Sequence, residues 1–579
     1  MGTKALEIVR FRGRYYMTYH QQDGYFEGIG AAIVAGIPSD PDEYQKWLKR
    51  IRGDYAAKES VLEKEVYEIR DNVKPDPWLF DEFVDLPSEL PRKFDFCEFM
   101  YCYIINLDRE ILTIDFSMHW KLWNIPRQDG LWLRAIKDSI YEHALMISLD
   151  VCPEEHMASP ALDLPEPNWR MEHNHRVVAP RTSIIEPRKA FLTHILSHTM
   201  VHYADAIVRA GGGGECSPDS SPFRELIFAL VSIASGQADF HSLPADGLHP
   251  QTCNSLFKCV PNHLQDSPRW LDGTWSGKNY PLLPFGSPCH RPGEPPGASP
   301  AETIYWFEGV LVKLALVVDA KAISEAVAWG TEHGRANFQI VVLSLFEVAF
   351  AEVTSDDAGK LFVRYSRAID LSPVCAEDCL STHPRERPAL KPGMDSLMRP
   401  GLDWIMDINR RDLTAGILLG RFPGLAALVD FFEVAANCCA VSKSGGILPQ
   451  ELYDRILEFV DYDTWKNCLL VSTGFRSHCL RRYRIDDQKR IVAGPFVRLK
   501  QSGSRMRRLM SLDFENMETG EVSLMMIPPQ PYARNLQAYN WAPLIGRDRK
   551  VLMVDTVFQF EPAADASLEP DSPDNNECI

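Results

Sequence analysis

Three histidines, His194, His198 and His202, lie four residues apart in a stretch of helical periodicity. On a helix that spacing puts the imidazoles on one face, and a pair at i and i+4 is how helical zinc ligands are often presented. No acidic general base lies between them, so the set reads as a polar helix edge. Cys253, Cys259, His263, Cys289 and His290 offer soft and borderline ligands, but their spacing is irregular and lacks paired CxxC knuckles. Gly211 to Gly214 has the glycines of a phosphate loop without a following Lys-Ser/Thr. Gly273-Thr274-Trp275-Ser276-Gly277 places its serine one position too late for a nucleophile elbow. None of these sets defines catalytic, metal or cofactor chemistry, so the expectation is no enzyme, no metal and no cofactor. A hydrolase built in the middle of the chain ranks as a distant alternative.

The elements that would position such groups fall into several units, because 579 residues exceed one ordinary core of about 100–200 residues. With 45% hydrophobic and 24% charged residues, most of the chain can fold. A net charge of -18 argues against coating nucleic acid or an anionic membrane. No secretory signal is legible at the start, and no apolar run approaches the ~20 residues that cross a bilayer. The 14 cysteines are scattered like reduced core thiols. The expected setting is therefore soluble, cytoplasmic or nuclear.

The fold expectation is α+β, mainly helical. Residues 1–125 read as a hairpin-and-helix unit: a hairpin around Gly13, a hairpin signal at Asp23-Gly24-Tyr25, a helix from Pro38 to Asp42 onward, and a second hairpin about Asp108-Arg109. Residues 126–440 read as mainly helical. The segments are Trp132 to Leu149, Arg188 to Arg209, Phe223 to Ser235, Tyr305 to Trp329, Phe338 to Val353 and Pro423 to Cys439. Gly309 to Ala320 and Phe338 to Val353, interrupted by Lys313 and Glu347, read as buried core helices. Proline-rich loops at 211–222, 244–300 and 373–400 interrupt this region, the middle one read as disordered. Residues 486–562 read as a small β-rich unit, with a hairpin turning at Glu518 to Glu521 and VLMVDTVFQF as a further strand. Residues 563–579 read as a disordered acidic tail. No internal repeat is visible.

Between 445 and 485 the pattern changes to three short helices. Gly445 and Gly446 end the preceding helix, and Pro449 suits a helix start. Leu452, Ile456 and Val460 then form one apolar stripe, with Gln450, Asp454 and Glu458 opposite. Asp461 and Asp463 break that helix and can cap a second one bearing Cys468, Leu469 and Val471; a third carries Phe475 and Cys479. So few residues cannot bury these faces alone, since units below roughly 40 residues usually need help to fold.

This stretch resembles the F-box family. Leu448, Pro449, Glu451, Leu452, Ile456, Leu457, Val460, Asp461, Cys468, Val471, Ser472, Phe475 and Arg476 fall on the family pattern in one register, with Thr464 and Trp465 departing from its usual acidic residue and leucine. The resemblance implies a substrate-recruiting subunit of an SCF-type cullin-RING ubiquitin ligase. Its adaptor contacts would be Leu448, Pro449, Leu452, Ile456, Leu457, Val460, Trp465, Cys468, Val471 and Phe475, with the ligase adaptor, a cullin and a protein substrate as partners. A scaffold using the F-box outside any ligase is the alternative. More loosely, Arg14-Tyr15-Tyr16 with Asp23-Gly24-Tyr25, Phe307 to Val312, Phe431-Phe432-Glu433 and Trp541-Ala542-Pro543 look like a group of filamentous-fungal F-box proteins. Finally, Arg476, Arg481, Arg482, Arg484, Lys489, Arg490, Arg498, Lys500, Arg505, Arg507 and Arg508 crowd a short stretch. They read either as a solvated face or as a patch for an acidic or phosphorylated partner.

Overall fold

The computed structural model describes residues 2–12, 14–71, 101–114, 118–141, 152–158, 166–202, 207, 218–219, 221–243, 299–374, 412–443, 448–502, 505–526, 540–547, 550–553, 558–562 and 569–570. The proline-rich loops, the Cys253 to His290 set, Gly211 to Gly214, the Gly273 to Gly277 segment and Gly445-Gly446 therefore lie outside the described residues, apart from a few loop ends. Among the described residues the chain is a mixed α+β protein with eleven α-helices and three sheets.

Aromatic and β-branched residues make β1 (Ala5–Phe11) and β2 (Arg14–His20) an antiparallel pair. The Asp23-Gly24-Tyr25 signal does not close another hairpin. Asp23 takes a positive φ and the chain enters a π-helical turn, Phe26–Gly30, then α1 (Ala31–Gly36). Asp40 accepts the backbone N–H groups of Asp42 and Glu43 at 3.1 and 3.0 Å, which starts α2 (Pro41–Asp71). β3 (Tyr101–Asn106) returns parallel to β1 and continues antiparallel through β4 (Ile111–Ile114) and β5 (Met118–Lys121), giving the order β2-β1-β3-β4-β5. α3 (Leu131–Tyr141) supplies Trp132, Ala135 and Ile136 to the same core, as does Cys152. The core of this unit thus runs past residue 125.

The middle is less helical than its sequence suggests. β6 (Asn174–Val177) precedes α4 (Pro187–His202), α5 (Ser221–Ser235) and β7 (Asp239–Leu243). β8 (Ile304–Phe307) and β9 (Val310–Leu314) then form a hairpin whose Glu308 and Gly309 both take positive φ, the backbone of a tight two-residue turn. α6 (Ala320–Glu332), capped by the Asp319 carboxylate on the Ala322 N–H, crosses over to β10 (Phe338–Leu343), which lies parallel to β9. β11 (Glu347–Ser355), β12 (Leu361–Tyr365) and β13 (Ile369–Asp370) complete a seven-stranded sheet. The two segments read as core helices, Gly309 to Ala320 and Phe338 to Val353, are therefore mainly strands. Their side chains are buried on both faces, with Leu311, Ile340 and Val342 packing toward α6 and Val312, Val341 and Phe350 joining the main core. A strand buried on both sides shows no alternation.

α7 (Ala415–Arg421) and α8 (Pro423–Lys443) follow. α8 packs close to β13, since a Cβ at Gly424 would meet the Asp370 carbonyl at 2.6 Å. Its segment Pro423–Val441 is long and apolar enough to cross a membrane by length and composition, contrary to the sequence reading that no such run exists. In this fold it is a core helix, with Phe431 packed at a tilt on Phe350, Phe432 edge-on to Phe307, and ion-paired Asp430 and Glu433 on its inner side.

α9 (Gln450–Phe459), α10 (Tyr462–Cys468) and α11 (Thr473–Arg481) are the three helices of the 445–485 region. A last sheet is built from β14 (Lys489–Ser502), β15 (Arg505–Asn516), β16 (Val522–Met526), β17 (Asn540–Arg547), β18 (Lys550–Met553), β19 (Phe558–Pro562) and β20 (Glu569–Pro570). VLMVDTVFQF thus supplies two strands. Within the expected acidic tail, Glu569–Pro570 pairs with β14. This sheet is not a separate unit, because β7 pairs antiparallel with β17 and Leu413 is backbone-bonded to Arg508 and Met510. Its core is continuous with α4, α5, α8 and the three short helices.

Among the described residues, no group of three or more His, Cys, Asp or Glu side chains is placed to hold a metal. His194 is fully buried, with no hydrogen-bond partner for either ring nitrogen among the described residues, and its ring stacks on that of His198, with ring centres 4.9 Å apart. The His202 side chain lies outside the described residues. Burial, reinforced by His198, depresses the His194 pKa well below the ordinary range. As pH falls through about 6.5 the unfolded chain therefore gains a proton that the native chain refuses, and stability drops by up to about 1.4 kcal/mol per pH unit. Asp486 acts oppositely: burial raises its pKa to about 6, so the native chain takes that proton first as pH falls. Urea unfolding at pH 7.5 and 5.5 is expected to show a smaller acid loss in His194→Leu than in the wild type, and equal losses would refute this account.

Candidate functional site

The three short helices present two apolar faces, not one. Toward the chain, Tyr453, Leu457, Trp465, Cys468 and Leu469 are buried, and Val460 and Phe475 pack partly against the same core. Trp465 lies parallel to Tyr462 at 5.9 Å between ring centres and edge-on to Tyr483 at 5.3 Å. Away from the chain, Leu448 is 38% exposed, Leu452 47%, Ile456 38% and Phe459 76%. Leu452, Ile456 and Phe459 follow one another along one side of α9, Leu448 lies just before its start, and Val471, before α11, is also exposed.

Of the ten residues the resemblance assigns to adaptor contact, then, Leu448, Pro449, Leu452, Ile456 and Val471 lie on the outer surface. Leu457, Trp465 and Cys468 are core residues of this chain, buried against its own helices. The helix carries two interleaved stripes, so one periodicity argument merged them. Phe459 was missed, although its place three residues after Ile456 extends the outer row.

Local chemistry sets these helices precisely. Asp461 accepts the Thr464 N–H at 2.8 Å and Ser472 accepts that of Phe475 at 3.3 Å, capping α10 and α11. The hydrogen bonds from Thr464 hold the exposed Asp461 carboxyl below its usual pKa. The Tyr453 hydroxyl accepts the Leu448 N–H at 3.1 Å, fixing the start of the outer row. Tyr453 in turn lies on Gly474, where an added Cβ would come within 2.5 Å of its ring. Gly474→Ala is expected to cost about 1–3 kcal/mol by displacing that rigid ring. A melting temperature equal to wild type would contradict this.

Charge ties the helices to the rest of the protein. The Glu433 carboxylate on α8 bonds the guanidiniums of Arg188 on α4 and Arg476 on α11 at once. Arg476 also donates to the Leu469 carbonyl at 3.1 Å. Burial raises the Glu433 pKa, but the two guanidiniums outweigh it and hold the carboxyl below its ordinary range. Buried Lys466 pairs with Asp239 of β7 and with Asp463 at 3.0 Å. Arg484 donates to the Val460 carbonyl at 2.8 Å and to that of Leu457.

These contacts dissolve the basic stretch as one solvated patch. Arg476, Arg484, Lys489 and Arg498 are buried, and Arg490 grips Glu515 through two bonds of 3.0 Å. Arg481, Arg482 and Arg508 are exposed. The side chains of Lys500 and Arg505 lie outside the described residues. Cys152, Cys438, Cys468 and Cys479 are not joined in disulfides. No family model, curated protein or solved structure matches this chain.

Proposed function

We propose that the chain is a non-catalytic, substrate-recruiting subunit of an SCF-type cullin-RING ubiquitin ligase, docked on the small adaptor subunit through Leu448, Pro449, Leu452, Ile456, Phe459 and Val471. The observation that carries this reading is the outer apolar row of α9, exposed while the opposite face of the same helix is locked into the core. Its register of Leu-Pro, Ile-Leu and Phe-Arg is that of the F-box resemblance. The adaptor is the occupant because a row of large apolar side chains, rimmed by Gln450, Glu451, Arg455 and Glu458, has the make-up of a protein interface: an apolar centre with a polar edge. Recruitment then works by proximity, holding a protein target near the ubiquitin donor and raising its effective concentration there. Titration of the purified full-length chain with purified adaptor subunit tests the reading directly. Absence of binding would favour a scaffold that uses these helices elsewhere.

A further inference from the structure

Arg507 on β15 stands out in the way its charge is met. Its Nε and Nη1 groups are buried and have no hydrogen-bond partner among the described residues, although the side chain as a whole is only half-buried. Other guanidiniums of the basic run have acceptors: Glu433 for Arg476, two backbone carbonyls for Arg484, Glu515 for Arg490. A guanidinium cannot shed its charge, so buried N–H groups without an acceptor are costly.

Arg498 adds to the positive field. Arg507 lies opposite Lys500 in the β14–β15 ladder, and Arg498 lies opposite Leu509. Arg498 and Arg507 are thus diagonal neighbours on one face of the ribbon, roughly 7–8 Å apart at the backbone, within reach of two long side chains for a shared ligand. Arg498 is buried. On its other diagonal is Ser511, fully buried, with a hydroxyl that has no partner among the described residues. Asp513, on the same face, is six residues along β15 from Arg507, about 20 Å, too far to neutralise it. Burial also raises the Asp513 pKa, against the pull of Arg498.

We propose that this face of the β14–β15 ribbon is a binding site for an oxyanion, a carboxylate or phosphate group held by the Arg507 fork with Arg498 beside it. The site moves the acidic-partner reading of the basic stretch away from the short helices and onto one sheet face. It does not depend on the ligase reading. Guanidinium geometry suits either anion, since both present paired oxygens to two parallel N–H groups.

The test is calorimetric titration of the full-length chain with inorganic phosphate, and separately with glutarate, at fixed ionic strength. Saturable binding is expected for at least one, and the stronger of the two names the preferred group. Arg507→Gln should weaken it by about tenfold or more, Arg507→Lys by less, and Arg481→Gln, which changes an exposed charge on α11, should leave it unchanged. Should Arg507→Gln fail to fold, the comparison of Arg507→Lys with Arg481→Gln decides. No saturable binding of either anion, or an Arg507 variant no weaker than Arg481→Gln, would overturn the site.

Discussion

Replacing Glu433 by Ala is expected to destabilise the folded chain by about 3–5 kcal/mol, because one carboxylate answers two buried guanidiniums and its loss leaves both charges without that acceptor. Arg188 and Arg476 are each almost wholly buried, so water cannot take the place of Glu433 without opening α4, α8 and α11 from one another. The pair also sets a pH window. Since the folded Glu433 pKa lies below its ordinary value, the stabilisation is complete above about pH 4.5 and is lost only as pH falls through the lower folded value. Denaturant unfolding at pH 7 measures the loss. A change under 1 kcal/mol would mean that the network contributes little, as exposed ion pairs do.

The second large effect concerns the outer row. Truncating Leu452 and Ile456 together to Ala should weaken adaptor binding by at least about thirtyfold, the consequence of about 2 kcal/mol or more at the centre of an apolar interface. Stability should hardly move, because both side chains face mainly outward and substitutions at such positions usually change it by about 0.5 kcal/mol or less. Leu457, four residues before Asp461 on the inner face, should behave in the opposite way: its truncation removes core packing and costs about 2–5 kcal/mol.

The contrast between Leu452 and Leu457 also shows what sequence could and could not reveal. The short helices, the break at Asp461 and the outward positions Leu448, Leu452 and Ile456 were legible, since caps and helical spacing are local. Which apolar stripe faced the chain was not, because both have the same period. Trp465 and Cys468 look equally able to meet a partner or a core until the neighbouring Tyr462 and Tyr483 are in place.

The misread strands have a different cause. Val310 to Leu314 and Phe338 to Leu343 are covered by α6 on one side and by the main core on the other, so they lack the alternation that marks a half-exposed strand. The β-branched residues Val310, Val312, Ile340, Val341 and Val342 were the available signal. Contacts that join remote segments left no local trace. Glu433 meets Arg188 across 245 positions, and β7 completes a sheet whose other strands come after residue 488.

The central claim rests on the exposed row of α9, and binding of purified adaptor subunit to the full-length chain tests it most directly. The account predicts a saturable complex with the wild type, at least about thirtyfold weaker with Leu452→Ala/Ile456→Ala at unchanged melting temperature. No complex with the wild type, or equal affinity in the double variant, would contradict it.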